Sequence, residues 1–459
     1  MIDIKLSPNG FVKDGLYDQK KALQEAGVRA AVCVAKSKDG KLVTTDDIRK
    51  NNTEANLIRR GLSTISLAHT TPTEQESVGL EITGISRRLC LILNNEKEYA
   101  ADELSLRYTE VQKSPFNTDQ EISLYYKWLA IFKKILTKEY WDWFRKQTKT
   151  DHAAEVNITK IAQENARNFL GLATRTSLTY TVPFAQINKI AYLMEKIIAN
   201  PLDDFEKSCV SEIQEFLSAL KAKKVLLTKN DIYEMITNDP ALEVEMKAKG
   251  QNICYETFKG DESLYYQDTK DLNLSLFAKR NKWSNIDGLS EVNLSGLSYN
   301  NYQSLSCLAQ NQRHRTIDLE MKMPEENISF VVPPFLGIDS FYAKEYEKDM
   351  TKILSAYPLG MKVKVNMNAT YANLFNYVSK ERCCMMAQNE IANMYTSEII
   401  PYIYHSLLSQ AQLESNPERK ALYLARAEVV SAYLNKYRCS FPDYKCPSHC
   451  RSIRLDRKF

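Results

Sequence analysis

Gln310-Asn311-Gln312-Arg313-His314-Arg315 is the stretch on which the reading of this chain turns. Two guanidinium forks flank an imidazole. That set suits a ligand carrying phosphate and a flat heteroaromatic ring, because arginine offers paired donors to oxyanions and stacks on planar faces. A lone triplet of this kind also reads as a solvated basic turn. An upstream stretch, Glu103-Leu104-Ser105-Leu106-Arg107-Tyr108, shifts the balance. The two look like halves of one motif, kept in different copies of a duplicated domain.

The bulk numbers set the frame. A chain of 459 residues is long for a single core, and two to three domains is the natural expectation. Hydrophobic content of 44% and charged content of 26% are ordinary for a soluble globular protein. A net charge of +4 is too small at this length to imply a nucleic-acid binder. No apolar run reaches the roughly 18 residues of a membrane span, so no membrane role is expected. The start, Met1-Ile-Asp-Ile-Lys, lacks the charged-then-apolar layout of a signal peptide. Cys33, Cys90, Cys209, Cys254 and Cys307 each stand alone in apolar sequence, as buried thiols of a reducing cytoplasm do.

Periodicity places the elements. Leu57, Ile58, Leu62 and Ile65 fall at helical spacing within a helix expected over 52–68. A Thr- and Pro-rich loop follows at 69–74, then Val78, Leu80 and Ile82 alternate as a strand. Helix resumes near Glu121, with Leu124, Trp128, Ile131, Phe132 and Ile135 on one face. A helix end is expected over 163–170, a strand over 174–182, and two helices after it. The second of these is amphipathic through Phe205, Ile213, Phe216 and Leu220. The Lys-rich run 221–229 and Asn238-Asp239-Pro240 mark a domain boundary.

The second half repeats the plan in shorter form. Val292 and Leu294 alternate up to Gly296-Leu297-Ser298, echoing Val78 to Ser86. Ser304 precedes Arg313 by the interval at which Ser86 precedes Asn95. The alternating 362–365 segment follows Pro358 as the 174–182 strand follows Gly171, and each is expected to lead into a long helix. A final helix should open at Asn416-Pro417, with Leu422, Ala425, Val429 and Tyr433 along one side.

Both halves resemble the flavin-dependent thymidylate synthases. That family's signature is R-H-R-x-x-S-x-N-E-x-S-x-R-Y with a Gln three residues before it, a G-H-x-[ST]-P-x-E loop upstream, and E-x-A-R-x-x-L-P then L-R-x-x-x-x-A-Q-x-E-I downstream. In the first half, Glu103, Ser105, Arg107 and Tyr108 fall on E-x-S-x-R-Y, while Asn95-Glu96-Lys97 replaces R-H-R. The loop stands as His69-Thr70-Thr71-Pro72-Thr73-Glu74, and Glu164-Asn165-Ala166-Arg167 fits E-x-A-R. Gly171 takes the usual proline position, and Met194-Glu195 stands where the later arginine belongs. The second half is the reverse image. Gln310 and Arg313-His314-Arg315 are intact, as are Arg382, Ala387, Gln388, Glu390 and Ile391 of the final helix, but Met321, Met323 and Glu325 replace the E-x-S-x-R set.

The resemblance implies an α+β fold in two tandem copies, each a β-sheet flanked by long helices, paired as a pseudo-dimer within one chain. The copies would span residues 1–228 and 229–437, with a basic Cys/His tail at 438–459. Family sites are assembled from several chains of a homotetramer, so one composite site could use one good copy of each motif half, and a homodimer would imitate the tetramer. The implied reaction is FAD-dependent methylation of dUMP to dTMP, with NADPH and methylenetetrahydrofolate as co-substrates.

The implied roles follow residue by residue. Gln310, Arg313, Glu103, Ser105, Arg107, Arg167 and Arg382 would bind dUMP, and Arg382 would stabilise negative charge on the pyrimidine. Arg313, His314, Arg315, Thr71, Glu74, Glu103, Asn373 and Asn376 would hold FAD, and His69 would line the folate and nicotinamide side. If 103–107 is extended, Glu103, Ser105 and Arg107 share a face. Otherwise Glu103 and Arg107 form an exposed helical pair. The tail's Cys439, Cys446, His449 and Cys450 either close a structural zinc site or are incidental thiols in a loose basic tail. Two rival readings remain: a non-catalytic nucleotide- or flavin-binding descendant with a regulatory or assembly role, and an RNA binder, which the low charge disfavours.

Overall fold

The protein is described by a computed structural model covering residues 1–35, 42–66, 71–96, 98–107, 111, 116–248, 296–324, 326–337, 339–371, 373–384 and 387–444. His69, Tyr108, Val292, Leu294, Cys446, His449 and Cys450 lie outside the described residues, as do the side chains of Thr71 and Asn376. The fold mixes helices with small antiparallel sheets and is α+β, as expected. The chain divides into two compact units, Met1–Leu104 with Arg175–Gln267, and Ser105–Thr174 with Asp268–Phe459.

The first unit is built on a four-stranded antiparallel sheet in the order Asp3–Leu6, Ser77–Ser86, Arg175–Pro183, Ala100–Glu103. The period-2 pattern does what it should: Val78, Leu80 and Ile82 pair with Val182, Tyr180 and Leu178, and all six are buried. Leu57, Ile58, Leu62 and Ile65 are buried on the helix Glu54–Ser66. That helix lies tightly against Gln19–Cys33. A Cβ on Gly27 would stand 1.8 Å from the Leu57 carbonyl oxygen, and one on Gly61 2.2 Å from that of Leu23. The amphipathic helix Asp204–Ala222 buries Phe205, Ile213, Phe216 and Leu220.

The second unit pairs a long helix, Asp119–Gln147, with Asp151–Ala166 and a three-stranded antiparallel sheet in the order Gly296–Ser304, Lys362–Thr370, Asp318–Lys322. Thr118 and Glu121 form a capping box that starts the long helix. Its buried face carries Trp128, whose ring stacks on Phe169 at 5.7 Å and meets Tyr346 edge-on at 5.1 Å. Such contacts join residues far apart in sequence into one core. Gly171 and Pro358 form an antiparallel bridge between the two sequence halves within this unit.

Several expectations are corrected. The strand of the second half runs Gly296–Ser304, so it ends six residues beyond Ser298. The long helix expected after Lys362–Thr370 is broken. It comprises a π-wound turn at Asn373–Ser379, the short helix Lys380–Arg382, and a restart at Asn389 that winds π again at Met394–Ile399. The last helix does open at Pro417 with Asn416 as its cap, but it buries Tyr423, Ala427 and Val430 in place of Leu422, Ala425 and Val429; Tyr433, just past its end, is buried. Residues 103–107 are neither one strand nor a helix. The strand stops at Glu103, and Ser105 Oγ accepts the Arg107 N–H at 3.3 Å, turning the chain. Glu103, Ser105 and Arg107 therefore do not share a strand face.

Candidate functional site

The residues that gather are all in the second unit and come from both halves of the sequence. Gln310 lies on the short helix Leu305–Asn311, which is capped by Ser304 Oγ accepting from the Cys307 N–H at 3.1 Å. The basic triplet is the turn that leaves this helix. Asn311, fully buried, braces it by donating to Gln303 Oε1 at 2.7 Å and accepting from the Tyr395 hydroxyl at 3.1 Å. Arg313 is half-buried and Arg315 exposed.

Arg382, at the end of its short helix, reaches back to the same turn. Its Nε donates to His314 Nε2 at 2.5 Å and its Nη2 to the Gln310 carbonyl at 3.1 Å. Since His314 Nε2 accepts, the imidazole proton belongs on Nδ1, which faces Glu381 at 4.0 Å. Burial lowers the Arg382 pKa from its ordinary value; Glu381 and Tyr395 oppose that shift, and the Arg313 charge adds to it. A strongly basic side chain is thus held in a site where an anion would be welcome.

Arg167 follows the helix Asp151–Ala166 and is buried. Its Nη2 donates to Gln388 Oε1 at 2.6 Å, and Gln310 Nε2 donates to the same oxygen. Gln388 Nε2 in turn donates to Ser306 Oγ at 3.1 Å and to Glu390 Oε2 at 3.2 Å. Glu390 accepts the Ser304 N–H at 2.7 Å, and burial raises its pKa. Arg107 Nε donates to Glu164 at 2.5 Å. Arg107, Arg167, Gln310, His314 and Arg382 thus belong to one compact unit, with Asn373 half-buried in that same unit.

The remaining expected residues have surroundings of their own. Glu103 is in the first unit, where Arg87 Nη1 donates to it at 2.7 Å and Arg87 Nη2 donates to the Leu104 carbonyl at 2.7 Å. Glu74, exposed, is also in the first unit. Cys439 is part-exposed, its three proposed co-ligands are outside the described residues, and no group of three metal-binding side chains occurs among the described residues. Sequence reasoning gave no role to Glu164, Gln388 or Glu390. All three stand in the quoted motifs, so the signal was present in the letters but not in any local physical argument.

A cavity of about 90 Å³ adjoins the cluster, lined on one side by Val331–Pro334 and on the other by Glu164, Gln388, Asn389 and Glu390. It is too small for a nucleotide, which needs a pocket of roughly 300 Å³ or more. A cavity of about 350 Å³ in the first unit holds none of the expected residues. Its lysines, Lys20 and Lys224, are engaged by Asp239 and Asp231, and Asp18 and Glu234 add further negative charge, so it suits no phosphate.

The fold and the cluster together define an α+β protein with a basic, amide-lined site made from distant parts of the chain. Residues 16–193 match the family model described as thymidylate synthase complementing protein, the flavin-dependent thymidylate synthase family, as the motifs implied. The match supports thymidylate-synthase-type function and covers the E-x-S-x-R and E-x-A-R motifs; the Q-x-x-R-H-R and Arg382 motifs lie beyond it. No curated protein matches the chain. No helix among the described residues is long and apolar enough to cross a membrane.

Proposed function

We propose that the protein is a flavin-dependent thymidylate synthase. It methylates dUMP with methylenetetrahydrofolate and NADPH at one composite site, and it works in the cytoplasm as a homodimer that imitates the family tetramer. The observation that carries the reading is the placement of Arg107, Glu164 and Arg167 from the first half in one compact unit with Gln310, His314, Arg382 and Gln388 from the second. Duplication is supported by a shared device. In each half a strand ends on a serine, Ser86 or Ser304, that caps the next helix and gives its N–H and hydroxyl to one carboxylate, Glu212 or Glu390.

In this reading Arg167 and Gln310 bind dUMP together with Arg107 and Ser105. Arg382 faces the pyrimidine and stabilises charge developing on it, the kind of preorganised electrostatic term that dominates many sites. The turn Arg313-His314-Arg315 fits the diphosphate of FAD, because it presents a half-buried and an exposed guanidinium from one braced turn. The flavin, when bound, supplies the hydride chemistry, and the chain supplies orientation and charge.

One observation favours the non-catalytic alternative: Glu103 and Arg107, both assigned to ligand, already have counter-charges in Arg87 and Glu164. Tritium release from 5-tritiated dUMP separates the two. The enzyme reading expects release that needs FAD, NADPH and the folate, about one FAD bound per chain, and a loss of release of at least a hundredfold in Arg382→Ala with FAD retained. A yellow protein that binds dUMP but never releases tritium would favour the descendant.

A further inference from the structure

We infer that Gln388 is a positioning residue that locks Arg167 and Gln310 into one donor face, by an amide whose orientation is fixed from both sides. The inference rests on the proposed dUMP site. Gln388 is buried, and its two ends meet opposite chemistry. Oε1 faces only donors, the Arg167 guanidinium and the Gln310 amide. Nε2 faces the Glu390 carboxylate and the Ser306 hydroxyl. A flipped amide would set N–H against guanidinium and carbonyl against carboxylate, so only one orientation satisfies all four neighbours. Three separate segments meet here: the end of the helix Asp151–Ala166, the helix Leu305–Asn311, and the restart at Asn389.

The charged groups in contact with Gln388 are Arg167 and Glu390, with Glu164 lining the adjoining cavity and Lys362 and Arg167 acting on Glu390. A glutamate at 388 could still accept from Arg167 and Gln310, but its second oxygen would oppose Glu390 unless one proton is shared between them. Methionine keeps the length and removes both polar ends.

The test uses the full chain with Gln388→Glu and Gln388→Met, reading the dissociation constant of dUMP by calorimetry from about pH 6 to about pH 8.5, the pH span over which a shared carboxylate proton is expected to be lost. Relative to the parent at each pH, Gln388→Met should bind at least tenfold more weakly throughout. Gln388→Glu should be as weak at the alkaline end and should regain most of the loss on acidification, a recovery that a merely structural defect would not show. Parent-like binding by Gln388→Met, or a pH-independent loss in Gln388→Glu, would overturn the inference. A readout independent of dUMP is the rate at which phenylglyoxal modifies Arg167, followed by peptide mapping. It should rise at least fivefold in Gln388→Met, and an unchanged rate overturns the positioning role. A parent that binds no dUMP would instead defeat the proposed function, and the arginine-modification rate would still decide whether Gln388 holds Arg167.

Discussion

Glu212→Gln should destabilise the protein more than Glu390→Gln, although the two carboxylates do the same job for Ser86 and Ser304. Glu212 is 5% exposed and accepts the Ser86 N–H at 2.7 Å and its hydroxyl at 2.5 Å. Arg175 also donates to it, and Arg88 lies 3.7 Å away. Replacing it by the neutral amide keeps the shape and leaves two poorly exposed guanidiniums without their counter-charge. Breaking a buried pair in that way costs about 3 kcal/mol.

Glu390 differs in its company. Among the described residues no lysine or arginine stands within ion-pair distance of it, its donors are Ser304 and Gln388, and burial raises its pKa. An amide resembles its protonated form, so Glu390→Gln should cost about 1 kcal/mol. For units of this size that is a fall in Tm of about 2–4 °C, against about 6–12 °C for Glu212→Gln. Thermal melts by circular dichroism read the loss in either unit. Tryptophan fluorescence reports the second unit, where Trp128, Trp141 and Trp143 lie. Because the folded pKa of Glu390 is raised, its contribution is full in acid and lost as pH rises through that pKa, so the gap between parent and Glu390→Gln should narrow on the alkaline side. Equal losses in the two variants, or a gap that widens with pH, would refute this account.

Asp349 should show the opposite pH behaviour. Burial opposes its ionisation, but Lys127 at 2.6 Å, Lys352 at 2.5 Å and Trp128 Nε1 at 2.9 Å outweigh it and hold the carboxyl below its ordinary value. Its stabilisation is present above the unfolded pKa and lost as pH falls through the folded one. Asp349→Asn should therefore melt lower at neutral pH, by about 2 kcal/mol once the exposed lysines are discounted, and converge on the parent in acid. Gly171→Ala should destabilise the second unit by about 1–3 kcal/mol, measured by urea unfolding. An added Cβ would sit 2.4 Å from the Ala356 carbonyl oxygen and 2.8 Å from Glu121 Oε1, neither of which can withdraw without breaking the Gly171–Pro358 bridge or the Glu121 bond to the Gly171 N–H.

What the sequence made legible, and what it did not, follows the range of the forces involved. Helix Glu54–Ser66 and the strand Ser77–Ser86 were readable because one buried face repeats at the period of the element, a property written within a dozen residues. The π-wound turns at Asn373–Ser379 and Met394–Ile399 escaped, since a helix-compatible sequence does not announce where an extra residue will be accommodated. The stop at Glu103 escaped for a related reason: alternation in Glu103-Leu104-Ser105-Leu106-Arg107 satisfies a strand, while the bonds seen at the turn, from the Arg107 N–H to Ser105 Oγ and from Arg87 to the Leu104 carbonyl, involve side chains that alternation does not weigh.

The site divides along the same line. Basic residues such as Arg313 and Arg382 stand out because a guanidinium offers paired donors to an anion, so each invites a ligand on its residue type alone. Glu164 and Gln388 do not stand out, because their partners lie far away along the chain: Arg107 for the one, Arg167 and Gln310 for the other. Nor could the sequence show that Arg107 already has a carboxylate of its own. That pairing bears directly on function, for a phosphate reaching Arg107 must compete with Glu164. If Arg107 does bind the nucleotide, Glu164→Gln should tighten dUMP rather than weaken it, whereas a purely structural ion pair predicts only a loss of stability.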